Sequence, residues 1–150
     1  MPSERMSCFV DTSIIVYSVD PQAPKKQATA ISLLRRTIKN HTLVLSPQSL
    51  NESYRVITDK RLLLPRAPAR DFIADLSAAC TAPLDYGVTQ HAWLIQDQTN
   101  FAIWDCLLLA SASLSGCGIF LSEDLQHERQ VLNVRILNPF ALPHLNDLPI

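Results

Sequence analysis

Two kinds of apolar pattern alternate along the chain. Short apolar runs occur at Cys8 to Asp11 (CFVD), Thr42 to Ser46 (TLVLS), Ile119 to Ser122 (IFLS) and, with one arginine inside it, Val134 to Leu137 (VRIL). The first, bounded by polar residues, reads as a strand buried on both faces, the second as another buried strand and the last two as late strands. Between them, apolar positions recur every three or four residues, which is the helical period. The segment Lys25 to Lys39 places Ala28, Ile31, Leu34 and Ile38 on one face. TSIIVYSVD, just after the first strand, predicts a shorter helix stopping near Pro21.

Capping chemistry sharpens the later boundaries. Ser46 before Pro47 is an N-cap followed by a first-turn proline, so a helix is predicted from Pro47 to about Lys60. Pro68 opens another, with Phe72, Leu76 and Ala79 aligned. After a short extended piece at TAPL, Asp85 caps a helix whose Val88, Ala92 and Ile95 share a face. Phe101 to Ser115 is a strongly apolar helix ended by Gly116, and ALPHLNDLPI reads as a loose tail over 141–150. Strands alternating with helices predict an α/β fold: a central parallel sheet covered by helices on both faces.

Composition narrows the class without naming a function. The 150 residues, 47% of them hydrophobic, with only 3 glycines, suit one globular domain spanning 1–150 with a core over about 8–140. The net charge of −1 announces neither a nucleic-acid nor a membrane partner. Cys8, Cys80, Cys106 and Cys117 lack zinc or redox spacing, so free thiols in a reducing cytoplasm are expected. MPSERMSC has no apolar core of the kind a secretory signal carries. Phe101 to Ser122 is apolar over a bilayer's length, yet Asp105 is costly in lipid and Gly116 and Gly118 divide the run, so no membrane span is expected.

Four acids stand in apolar surroundings: Asp11 ending CFVD, Glu52 in SLNESYRVI, Asp105 in AIWDCLLLASA, and Asp124 after IFLSE. Singly, each has an ordinary explanation: a helix N-cap, an exposed helix face, a first-turn acid and a turn acid. Jointly, they converge. Asp11 and Asp124 follow predicted strands, Glu52 and Asp105 lie in early helical turns, and helices of a parallel fold begin on the edge where strands end. Four converging carboxylates repel unless a cation is present, and an oxygen-only set favours one or two Mg²⁺ or Mn²⁺ ions over Zn²⁺.

FVDTSIIVY, SLNESYRV, IWDCLLLASA and FLSEDLQH, followed by VRILNPF, resemble in order and spacing the PIN domains, and within them the VapC-like endoribonucleases of bacterial toxin–antitoxin pairs. The resemblance runs from about Cys8 to Phe140. It implies a three-layer α/β/α sandwich and metal-dependent cleavage of single-stranded RNA to 5′-phosphate and 3′-hydroxyl ends. Asp11, Glu52, Asp105 and Asp124 then form the acidic quartet, with Asp11 and Asp105 the first candidates for direct metal ligands. Thr12, Ser13 and Ser122 match supporting polar positions, and a small antitoxin and a homodimer are implied partners. One departure stands out: Ala102 occupies a position, three before the third acid, where related sequences often carry serine.

With the quartet set aside, 10 acids remain against 13 basic residues, so the rest of the chain is net positive. Arg55, Lys60, Arg61, Arg66 and Arg70 cluster after Glu52 and are candidates for phosphate-backbone contacts, the ordinary alternative being a solvated face. The four histidines lack ligand spacing, Trp93 and Trp104 read as packing or interface residues, and Ser111 and Ser113 lack the glycines of a nucleophile elbow. A phosphotransfer domain is disfavoured, because Ser13 stands where a second aspartate is wanted. The stronger rival is a non-catalytic binding scaffold that retains the fold.

Overall fold

The computed structural model describes residues 4–150, so the first three residues of MPSERMSC lie outside the described residues. Strands β1 (Cys8–Val10), β2 (Leu43–Val44), β3 (Ile119–Leu121), β4 (Gln130–Val131) and β5 (Val134–Leu137) form one sheet in the order β2-β1-β3-β5-β4. All neighbours are parallel except β4 and β5. Helices α1 (Thr12–Tyr17), α2 (Pro24–Lys39), α3 (Pro47–Arg55), α4 (Arg66–Leu76), α5 (Tyr86–Thr99) and α6 (Ile103–Leu114) complete the chain's main elements.

The alternating pleat divides the core in two. Phe9, Val44, Phe120 and Ile136 face α5 and α6, where Val88, Ala92, Ile95, Leu108 and Leu109 meet them. Phe9 and Phe120 stack at 5.3 Å between centroids, tying β1 to β3 on that face. Cys8, Val10, Ile119, Leu121 and Leu137 face the other way, toward Ile14, Ile15, Ala30, Leu33 and Leu34 of α1 and α2. The three-layer α/β/α architecture expected from the strand–helix alternation is the one observed. Among the described residues no helix is long and apolar enough to cross a membrane, because α6 stops at Leu114 and Gly116, at φ +75°, turns the chain into β3.

Several local expectations are corrected. The buried stripe of α2 is Ala30, Leu33, Leu34 and Thr37, while Ala28 and Ile38 are exposed. The true stripe was hidden by a threonine, whose hydroxyl satisfies itself on the Leu33 carbonyl at 2.8 Å and so tolerates burial. The helix opened by Pro47 is regular only to Arg55 and continues as a π-helical turn over Val56–Lys60. The next helix begins at Arg66, with Pro65 as its N-cap and Pro68 inside the first turn. TAPL contributes a bridge at its border, Leu45 pairing with Cys80, and β4 was not foreseen.

The segment 141–150 is not loose. Leu142, Leu145 and Leu148 pack on the α1/α2 side of the core, Ile150 is buried, and residues Leu145–Asp147 form a 3₁₀ turn. Arg36 donates to the carbonyls of Leu145 (2.7 Å), Asn146 (3.3 Å) and Leu148, and Asn40 donates to that of Ile150 at 2.9 Å. Docking here depends on backbone carbonyls meeting side chains of a distant helix, which apolar periodicity does not encode.

Candidate functional site

Strand order reverses beside β1: its chain leaves to β2 on one side, and β3 lies on the other. In such sheets the crevice outside the carboxyl ends at the reversal is the natural ligand site. Asp11 follows β1 directly, its backbone N–H donating to the Leu121 carbonyl at 2.9 Å, and Ser122 follows β3. A cleft of about 320 Å³ opens at this edge, lined by Asp11, Glu52, Asp105 and Asp124 together with Thr12, Ser13, Tyr17 and Arg61. All four acids singled out from the sequence therefore border one cavity.

Each is presented by a different element. Asp11 is 5% exposed and caps α1, its Oδ1 accepting from the Thr12 N–H at 2.7 Å. Its Oδ2 accepts from the Ser122 hydroxyl at 2.8 Å. The ordinary N-cap explanation is thus correct and does not compete with a role in the cleft. Ser122 Oγ in turn accepts from the Asp124 N–H at 3.2 Å, linking the turn after β3 to Asp11. Glu52, on α3, accepts from the Thr12 hydroxyl at 2.9 Å and from Gln48 Nε2 at 3.0 Å. Thr12 and Ser122 therefore each join two of the acids. Asp105 lies in the first turn of α6, where the helix dipole favours an anion. Among the described residues, neither the Asp105 nor the Asp124 carboxylate has a hydrogen-bond partner or ion pair.

The electrostatics record this crowding. Burial pushes Asp11 up to about 7, against the hydrogen bonds from Ser122 and Thr12 and with help from the negative charges of Asp105 and Asp124. Burial also raises Asp105, reinforced by Asp124 and Glu52. Ser13 Oγ is buried without a hydrogen-bond partner. Among the described residues, no group of three or more His, Cys, Asp or Glu side chains is arranged to hold an ion.

Residues missed by the sequence reading complete the site. Gln48, one turn before Glu52, is buried and bridges it to the Trp104 carbonyl at 3.0 Å, so α3 is pinned to the start of α6. The i, i+4 spacing of Gln48 and Glu52 was the available signal. Tyr17 had none. Asp20, 1% exposed, pairs with Arg61 at 2.6 Å. Of the basic cluster, only Arg61 borders the cleft; Arg55, Lys60, Arg66 and Arg70 are exposed, and Arg70 donates to the Tyr54 hydroxyl at 3.1 Å. Ala102 proves to be the N-cap of α6 and makes no side-chain cap bond.

The PIN domain family model matches residues 8–131, including all four acids. The chain belongs to the PIN domain family. Its β5 lies beyond the matched residues but completes the same sheet. The fold of this PIN domain is similar to that in a structure of VapBC2 from Rickettsia felis bound to a DNA fragment from its promoter, with TM-score 0.61 and 12% identity over 86% of this chain and 96% of that one. It is also similar to VapC20 of Mycobacterium tuberculosis, a sarcin–ricin-loop-cleaving toxin, with TM-score 0.56 and 18% identity over 76% of this chain and 87% of that one. Comparison with curated proteins finds no match.

Proposed function

We propose that this PIN domain is a metal-dependent endoribonuclease acting on single-stranded RNA, and the toxin component of a toxin–antitoxin pair. The observation that carries the reading is the shared cleft: four carboxylates from four parts of the chain border it, and two of them have no partner among the described residues. An oxygen-only donor set, with the unpartnered Ser13 hydroxyl beside it, suits Mg²⁺ or Mn²⁺. The lack of a three-ligand cluster is compatible with Mg²⁺, which binds through one or two carboxylates and keeps several waters.

In this mechanism Asp11 and Asp105 would hold one or two ions, and Glu52 and Asp124 would complete the acidic wall. When bound, such an ion acidifies a water for attack at phosphorus and stabilises the leaving oxygen. Ser122 and the Thr12 N–H fix the Asp11 carboxylate, while the Thr12 hydroxyl and Gln48 fix Glu52, so these ligands are oriented before substrate arrives. Arg55, Lys60, Arg66 and Arg70 extend a basic surface for the RNA backbone. Similarity to a VapBC assembly and to a sarcin–ricin-loop-cleaving toxin supports an antitoxin partner and an RNA substrate. A homodimer and a cytoplasmic location belong to the same reading.

The purified protein is expected to cleave single-stranded RNA with Mg²⁺ or Mn²⁺ and to stop in excess chelator. Asp11→Asn and Asp105→Asn should each reduce cleavage at least about a hundredfold with the circular dichroism spectrum unchanged. Full activity in chelator, or a wild-type rate in either variant, overturns the reading. The rival, a PIN fold kept for binding alone, is favoured by the lack of a three-ligand cluster among the described residues and predicts RNA binding without cleavage.

A further inference from the structure

Arg61 is the only basic residue bordering the acidic cleft among the described residues. Its neighbours in sequence do not explain how it comes to be there. On a regular α-helix, with 3.6 residues per turn, Glu52 and Arg61 stand about 180° out of phase. The π-helical turn over Val56–Lys60, which ends the helix, breaks that phase. Leu62, immediately after, holds φ at 51°, a costly conformation for a leucine, while its side chain is 76% exposed. Packing of Leu62 therefore does not compensate the strain.

What fixes the guanidinium is Asp20, 41 positions earlier. Its Oδ2 accepts from Arg61 Nη2 at 2.6 Å, and its Oδ1 accepts from the Gln22 N–H at 3.0 Å. Asp20 is almost wholly buried, whereas the Arg61 side chain remains 38% exposed. One hydrogen bond to Asp20 leaves other guanidinium donors of Arg61 for a ligand. A permanently charged planar fork at the edge of a carboxylate-lined cleft suits one class of ligand, a phosphate group that must approach against negative charge.

We propose that Arg61 binds a backbone phosphate of the RNA at the mouth of the cleft, and that Asp20 is a positioning residue acting through Arg61. The inference rests on the RNA-binding half of the reading above and not on cleavage, and it distinguishes Arg61 from the surface basic residues, which contribute charge without a fixed position. If the pair were only a clasp between the α1–α2 and α3–α4 connections, its loss would lower the melting temperature and leave substrate affinity untouched.

The test compares wild type, Arg61→Gln, Asp20→Asn and the double variant, using a labelled single-stranded RNA of mixed sequence. Cleavage is followed with Mn²⁺, and binding by fluorescence anisotropy in chelator. Arg61→Gln should raise KM and the dissociation constant about tenfold while kcat stays within about threefold. Asp20→Asn should reproduce most of that loss, and the double variant should be no worse than Arg61→Gln. Arg61→Met, which keeps the apolar stem, takes over if Arg61→Gln does not fold. A wild type that cleaves, with KM and binding indifferent to Arg61, ends the proposal and spares the ribonuclease reading. Additive losses in the double variant overturn the role of Asp20. Arg61-dependent binding without cleavage sustains the proposal and ends the ribonuclease reading; a wild type that neither binds nor cleaves ends both.

Discussion

Two sets of acidic side chains occupy the carboxyl edge of the sheet and its adjoining loops, and the protein treats them oppositely. Asp20 and Glu123 each have a basic partner, Arg61 and Lys26. Although partial burial acts the other way, hydrogen bonds from Lys26 and Tyr17 and the Lys26 charge hold Glu123 below the usual carboxylate range. Among the described residues Asp11 and Asp105 have no basic partner, and both are raised. The paired acids stabilise loops around the cleft; the unpaired acids concentrate negative charge inside it. Uncompensated carboxylates weaken a fold unless something else supplies the positive charge.

The largest expected effect on stability comes from supplying that charge. A divalent ion that binds the folded state alone stabilises it by mass action, by about 2.7 kcal/mol at a hundredfold excess over its dissociation constant. Calorimetry with Mn²⁺ should therefore raise the wild-type melting temperature strongly and that of Asp105→Asn much less. Equal shifts in the two proteins would mean that the acids do not share a cation.

Removing metal sharpens the contrast through pH. Asp11 titrates at about 7 in the folded state against an ordinary value of 3.8, so between these values the folded chain holds a proton that the unfolded chain has released. Its contribution is fully present below the ordinary value and is lost as pH rises through about 7. Asp105, also raised, adds in the same direction. Glu123, being lowered, has the opposite sign, and its contribution disappears only as the solution is acidified below its ordinary value of 4.5. Melting temperature in chelator should accordingly fall from pH 4.5 to pH 7, and Asp11→Asn should flatten the slope. An unchanged slope in that variant would remove Asp11 as its source.

The same division governs what could be read from the sequence. Strand runs, proline and serine caps, and the apolar faces of α5 and α6 are local signals, and they yielded the α/β/α layers. The four acids were conspicuous because carboxylates rarely stand in apolar segments, and all four border the cleft. Asp20 was not, because TSIIVYSVD reads as one short helix reaching Pro21, whereas the helix ends at Tyr17 and the partner of Asp20 is 41 positions away. The π turn, β4 and the docking of residues 141–150 were likewise hidden. Each depends on contacts between distant segments or on a backbone step that no residue type demands. The α2 stripe failed for another reason: Thr37 counted as polar, although its hydroxyl bonds within its own helix.

The smallest effect concerns the one helix start at the cleft that lacks a side-chain cap. Asp11 caps α1 and Ser46 caps α3 with a reciprocal bond from Ser49, whereas Ala102 leaves the first turn of α6 without one. Its backbone is already extended, at φ −56° and ψ 143°, as an N-cap requires, so a serine hydroxyl there needs no rearrangement to reach the N–H groups of the first turn. Ala102→Ser should therefore stabilise the protein by about 1 kcal/mol, read as a higher denaturation midpoint with an unchanged m-value. A hydroxyl beside Asp105 also adds a donor that can orient its carboxylate, so metal affinity should rise while the cleft keeps its shape. A serine that stabilises without tightening metal binding would assign position 102 to the helix alone; one that does neither would mean that the open N–H groups are already satisfied by water.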